Sequence, residues 1–122
     1  MTSVIFPGQG SQFVCMAKDF YDNFKEAKET FNEIEDSTNL NLKKIIFDDN
    51  STLLNITNFT QVSIFAASIS IYRTLESNFD FAKNKINYML GHSLGEYSAL
   101  TASKSLTIKQ AASLLKIRGE LM

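Results

Sequence analysis

The sequence predicts an α/β fold with parallel strands, and three features of its apolar pattern lead to that class. Two short apolar runs, residues 4–6 and 86–90, are each followed by a turn that contains glycine, which is typical of buried strands. Segments with helical spacing lie between and after these runs. The order of strand, helices, strand, tight turn and helix is the pattern of a parallel sheet covered by helices.

Helical periodicity predicts each of the remaining elements. Apolar residues recur at helical spacing over residues 20–34, with charged residues on the other faces, so we expect an amphipathic helix there and a short one over residues 40–47. Residues 61–76 alternate in places like a strand, but the run is long and has no glycine or proline, which favours a buried helix. Residues 96–102 continue from the tight turn as a helix, and Thr107 with Gln110 has the spacing of a capping box that begins the last one.

Composition and charge exclude several classes of function. Lys+Arg 12 against Asp+Glu 13 gives a net charge of -1, so no basic excess exists to bind nucleic acid or an anionic membrane. The longest apolar-rich stretch, residues 62–72, is interrupted by serines and too short to span a bilayer, and no signal peptide is recognisable. The single Cys15 cannot form an internal disulfide, and no Cys/His cluster has metal-ligand spacing. We therefore expect a protein of the cytoplasm, or of an organelle matrix, that holds no metal.

Residues 91–95 contain the strongest functional signal, Gly-His-Ser-Leu-Gly, which fits the pattern G-x-S-x-G. A serine on a sharp strand-to-helix turn projects its hydroxyl from the sheet edge, and the strained backbone there needs neighbours without bulk. The helix that follows directs free N–H groups to the point where an oxyanion develops. The pattern predicts a nucleophile elbow with Ser93 as the nucleophile; the alternative is a glycine-rich turn with a capping serine.

The loop Gly8-Gln9-Gly10 follows the first predicted strand and is the second signal. Its backbone N–H groups could face the serine turn and complete an oxyanion hole. Taken alone, the loop is more typical of an ordinary glycine-rich turn between a strand and a helix. It does not fit G-x-G-x-x-G, since Phe13 stands at the last position, so a dinucleotide site is not predicted.

Taken together, these motifs resemble one family closely, the malonyl-CoA:acyl carrier protein transacylases, to which the acyltransferase domains of polyketide synthases are similar. The resemblance runs from residue 4 to residue 122. It is carried by Phe6-Pro7-Gly8-Gln9-Gly10-Ser11-Gln12, by Thr60-Gln61, by Gly91-His92-Ser93-Leu94-Gly95-Glu96-Tyr97-Ser98-Ala99-Leu100, and by Arg118-Gly119. It implies that residues 1–122 are the N-terminal part of one acyltransferase domain, a partial α/β-hydrolase-like core that lacks the family's ferredoxin-like small subdomain.

The resemblance also implies a reaction and its residues. Ser93 would take the malonyl group from malonyl-CoA as an ester and pass it to the phosphopantetheine thiol of acyl carrier protein, with no cofactor. The backbone N–H groups of Gln9 and Leu94 would form the oxyanion hole. Arg118 would clamp the malonyl carboxylate, and Gln61 would lie near the acyl pocket. From periodicity alone, Arg118 borders the apolar stripe of the last helix and could simply extend to water.

The family pairs its serine with a histidine that this sequence does not contain. His92, the one histidine present, directly precedes Ser93, and adjacent residues on a tight turn point apart. We therefore expect His92 to have a packing or hydrogen-bonding role and the 122 residues alone to be inactive. Two alternatives stay open: a serine esterase or thioesterase of the α/β-hydrolase type, and a non-catalytic remnant that binds acyl carrier protein. Oligomeric state is not predicted.

Overall fold

The chain has a mixed α/β architecture in a computed structural model that describes residues 2–50, 52–79 and 86–122. Within these residues the strands form one two-stranded parallel sheet, as the sequence predicts. In chain order, the elements are β1 (Thr2–Phe6), α1 (Lys18–Asn23), α2 (Lys25–Thr38), α3 (Leu42–Phe47), a 3₁₀ turn (Leu53–Asn55), α4 (Thr57–Asn78), β2 (Ile86–Gly91), α5 (Gly95–Ala102) and α6 (Ile108–Leu121). No helix within the described ranges is long and apolar enough to cross a membrane.

The two strands are buried on one face only, so the prediction of two fully buried strands is wrong. The register pairs Val4 with Met89 and Ile5 with Leu90, and side chains alternate between the faces of a sheet. Val4 and Met89 pack against the core, whereas Ile5 is 71% exposed and Leu90 is 53% exposed. A continuous apolar run is typical of a strand that is buried on both faces of a parallel sheet, which is why the sequence predicted it, but the described helices cover just one face.

The predicted helix over residues 20–34 is two helices, α1 and α2, separated at Phe24. Phe24 has an extended backbone, with φ -130° and ψ 129°, and its ring packs against those of Phe20 and Phe79. Helix α2 buries Phe31 and Ile34 in the core, whereas α1 has no buried residue and only Tyr21 packs against the core, so the apolar period did not reveal the break. Helix α2 also runs further than predicted and ends where Asn39 adopts the left-handed conformation, with φ 60°.

Helix α4 is the centre of the molecule, and α2 and α6 pack against it. Its burial confirms the prediction of a buried helix over residues 61–76, although the helix begins four residues earlier, at Thr57. Fully buried side chains include Phe65 of α4, Phe31 of α2 and Leu115 of α6. The predicted capping box is present at the start of α6: the Thr107 side chain accepts from the Gln110 backbone N–H, and the Gln110 side chain accepts from the Thr107 backbone N–H.

Candidate active site

Ser93 lies on the turn between β2 and α5 and is exposed to solvent. Its backbone is in the left-handed region, with φ 58°, which is unusual for a residue other than glycine and marks local strain. A Cβ atom on Gly91 would overlap the backbone of Gly95, and one on Gly95 would overlap the carbonyl oxygen of Phe6. Both flanking glycines of the G-x-S-x-G pattern are therefore required by the close approach of the backbones around the serine.

The loop after β1 lies directly against this turn. The backbone N–H of His92 donates to the carbonyl oxygen of Phe6 at 3.2 Å, which joins the turn to the end of β1. Gly8 is buried, and a Cβ atom there would overlap the carbonyl oxygen of His92 and lie 2.9 Å from its Nδ1. The loop and Ser93 thus share the C-terminal edge of the sheet, where ligands bind in open α/β sheets.

Among the backbone N–H groups around the serine, both of the predicted oxyanion-hole donors have no acceptor within the described part of the chain. They belong to Gln9, which is exposed, and to Leu94, whose side chain is fully buried. Leu94 comes directly before α5, whose first two N–H groups, at Gly95 and Glu96, already donate to carbonyl oxygens of the turn, so the donor left open at this end of the helix is that of Leu94. Donors of this kind suit a developing oxyanion, so both residues remain candidates for the predicted oxyanion hole.

Arg118 extends from α6 to the serine. Its Nη2 donates to Ser93 Oγ at 3.0 Å, and its Nη1 donates to Gln61 Oε1 at 2.7 Å. Gln61 is 1% exposed on α4, and its Nε2 lies 2.8 Å from Met122 Sδ. The guanidinium therefore points at the serine rather than into open solvent. Three of the sequence-predicted site residues come together in this way; their roles toward a substrate remain predictions.

The position of Arg118 follows from how α6 meets α4. The next residue, Gly119, is buried against the first turn of α4, and a Cβ atom there would lie 2.9 Å from the carbonyl oxygen of Thr57. A glycine at this position lets the two helices approach closely. The approach places the arginine of α6 beside the buried glutamine of α4.

Sequence reasoning missed one participant, Tyr97. The Cζ atom of Arg118 lies over the Tyr97 ring, 5.7 Å from its centroid. Tyr97 is half-buried on α5, four residues after Ser93. Because Ser93 precedes α5 and has a left-handed backbone, helical spacing does not relate the two residues, and the sequence held no local signal for the contact of Tyr97 with Arg118.

The remaining candidates lie outside this cluster. The His92 ring is on the side of Gly8, and no hydrogen bond joins it to Ser93. Cys15 is half-buried near Phe47 and Asp49; partial burial and then the charge of Asp49 raise the pKa of its thiol, so it is no activated nucleophile. In the ranges that the structure describes, no cluster of His, Cys, Asp and Glu could hold a metal ion.

Fold and site together define a mixed α/β protein with an exposed serine at a strand-to-helix turn and a cation beside its hydroxyl. Residues 4–122 match the family model described as the acyl transferase domain, and the chain belongs to this family. It is 40% identical over 118 residues to a malonyl CoA-acyl carrier protein transacylase of Bacillus subtilis, a match that covers 97% of this chain and 29% of the relative.

Solved structures agree with this assignment. The malonyl CoA-acyl carrier protein transacylase of Clostridium perfringens superposes with a TM-score of 0.89 and 36% identity, covering 99% of this chain and 37% of that one. A malonyl-transacylase in complex with its type II PKS acyl-carrier protein superposes with a TM-score of 0.87 and 36% identity, covering 98% of this chain and 38% of that one. The chain thus spans between a quarter and two fifths of the length of these relatives.

Proposed function

We propose that this chain carries the serine half of a malonyl transfer site, which moves a malonyl group from malonyl-CoA to the phosphopantetheine thiol of acyl carrier protein. The observation that carries the proposal is the contact of 3.0 Å between Arg118 Nη2 and Ser93 Oγ. A guanidinium beside the nucleophile suits an acyl group that ends in a carboxylate, because its planar fork binds a carboxylate through two parallel N–H groups. A neutral acyl group offers no partner for that charge.

The proposed reaction has two acyl transfers at one oxygen. Ser93 Oγ attacks the thioester carbonyl, its proton goes to a base, the bond to the CoA sulfur breaks and CoA leaves as the thiol. The carrier-protein thiol then attacks the malonyl ester, and the serine hydroxyl is restored. We propose the backbone N–H groups of Gln9 and Leu94 as donors to the oxyanion of both steps. The turn at Ser93 would then be a nucleophile elbow on a partial α/β-hydrolase-like core.

The base for this reaction is the part that the 122 residues do not supply. The sequence has one histidine, and the ring of His92 lies at Gly8, away from the serine hydroxyl. Removing the base from a serine enzyme lowers its rate by several orders of magnitude. We therefore propose that the polypeptide alone is a slow acyl acceptor and no efficient transferase. We also propose that it works in the cytoplasm or in an organelle matrix.

Chemical rescue tests both the site and the missing base. The 122-residue chain is incubated with malonyl-CoA, with and without added imidazole, and acylation is followed by intact-mass and peptide mass spectrometry. We expect a malonyl ester on Ser93 that forms faster with imidazole and is absent from Ser93→Ala. Arg118→Met should acylate more slowly with malonyl-CoA while its rate with acetyl-CoA is retained.

The same experiment separates the alternatives. Release of free malonate faster than transfer to a carrier-protein thiol would identify an esterase or thioesterase. Binding of acyl carrier protein with no acylation of Ser93 at any imidazole concentration would identify a non-catalytic binding module. Equal acylation by malonyl-CoA and acetyl-CoA in the unmodified chain would refute the clamp by Arg118.

A further inference from the structure

We infer that Tyr97 is a positioning residue that sets the preference of the site for a carboxylate-bearing acyl group, by holding the Arg118 guanidinium through its ring face. The inference rests on the proposed function, since it concerns the selectivity of that same site. The observation behind it is the distance of 5.7 Å between Arg118 Cζ and the Tyr97 ring centroid. An arginine within about 6 Å of an aromatic centroid is attracted by the negative face of the ring.

Three elements hold the guanidinium from three directions. Gln61 of α4 accepts from Nη1 at 2.7 Å, Ser93 on the turn accepts from Nη2 at 3.0 Å, and Cζ lies over the ring of Tyr97 on α5. A guanidinium has five N–H groups, of which the two acceptors use two. The ring contact uses none, so it fixes the cation and leaves the remaining N–H groups free for a ligand.

The difference between the hydrogen bonds of Arg118 and its contact with the ring becomes important once Ser93 is acylated. In the ester, Ser93 Oγ carries the acyl group, and an ester oxygen is a poorer acceptor than the hydroxyl that Arg118 contacts in the free site. The guanidinium must then turn its N–H groups to the carboxylate of the bound acyl group. The contact with Tyr97 can persist through that change, because the attraction between the cation and the ring face depends on no particular N–H group.

Tyr97 is close to the nucleophile Ser93 in the chain, and its ring contacts the cation of Arg118. Tyr97 is in the first turn of α5, four residues after Ser93, and its half-buried side chain packs against the core. Its backbone N–H donates to Leu94 at 3.0 Å, and its carbonyl accepts from Thr101 Oγ1 at 2.8 Å. Ring and serine therefore belong to one rigid unit, against which the arginine of α6 rests.

Equilibrium binding of malonyl-CoA and acetyl-CoA tests this role in the 122-residue chain. All variants carry Ser93→Ala, so that no acylation disturbs the measurement, and the readout is the ratio of the two dissociation constants. Tyr97→Phe keeps the ring face and should keep the ratio. Tyr97→Leu removes the face and should reduce the preference for malonyl-CoA by about 2- to 30-fold, with little change in the affinity for acetyl-CoA.

Equal weakening of both ligands in Tyr97→Leu would show a merely structural role and would overturn the inference. A second measurement needs no variant: in the unmodified chain, the ring should shift the NMR signals of the Arg118 side chain upfield. Normal positions for these signals would overturn the inference even if Tyr97→Leu failed to fold. If the Ser93→Ala parent shows no preference for malonyl-CoA, the proposed function fails. If it shows one that Tyr97→Leu retains in full, only the role of Tyr97 fails.

Discussion

The hydrogen bond between Arg118 and Gln61 gives the sharpest stability prediction of this structure. Gln61 is 1% exposed, and its Oε1 accepts from Arg118 Nη1 at 2.7 Å. Replacing the arginine by methionine leaves a buried amide oxygen without its donor, which costs about 1–3 kcal/mol. Replacing both residues by methionine removes donor and acceptor together, and such a double replacement is far less costly than the sum of the single ones.

A double-mutant cycle measures this effect. The free energy of unfolding is determined by urea titration for the unmodified chain, Arg118→Met, Gln61→Met and the double variant. We expect Arg118→Met to lower the free energy of unfolding by about 1–3 kcal/mol. The coupling between the two sites should be about 1–2 kcal/mol, in the range of residues that share a hydrogen bond.

Lys116→Met is the matched control, since it removes a cation from the same helix, and no described residue forms a salt bridge with it. Its effect should stay within about 0.5 kcal/mol. A coupling below about 0.5 kcal/mol between Arg118 and Gln61 would refute the reasoning, because the two side chains would then act independently in solution.

Two further predictions concern the turn and the sheet. Gly95→Ala places a Cβ atom against the backbone of β1 and should lower the melting temperature, whereas Glu96→Ala, its exposed neighbour, should leave it nearly unchanged; equal melting temperatures would contradict the close approach. Ile5 and Leu90, which are 71% and 53% exposed, leave one face of the sheet open, so we expect the 122-residue chain to self-associate in sedimentation velocity runs and replacement of both by threonine to reduce that association. Leu114→Thr, 49% exposed on α6, should not reduce it, and self-association unchanged by the sheet variants would show that this face is not its cause.

The local sequence was sufficient to predict those elements that depend on residues close together in the chain. The length of the run over residues 61–76 and its lack of glycine and proline predicted α4, although part of it alternates like a strand. The spacing of Thr107 and Gln110 predicted the capping box, because that motif depends on contacts within a few residues. The break at Phe24 had no such signal. One of the rings that Phe24 contacts there is that of Phe79, which is far away in the sequence, and a contact of that kind leaves no local signal.

In the candidate site, too, the sequence predicted some features, and others became visible only in the structure. The G-x-S-x-G motif identified Ser93, because the strain at that position demands glycines at fixed offsets along the chain. The resemblance pointed to Arg118 and Gln61, but the sequence held nothing that joins them to each other or to Tyr97. These contacts are made across three helices that come together only when the core packs.

The sequence by itself therefore determined the α/β class, the helical periods, the serine and the glycines around it, because these features follow from backbone sterics and from the repeat of apolar residues. The tertiary structure decided that one face of the sheet is exposed and that Arg118 turns inward to Ser93. The reason is that burial and hydrogen-bond partners depend on contacts between residues that are distant in the sequence. Those contacts are set by the packing of α4, α5 and α6 around a shared core.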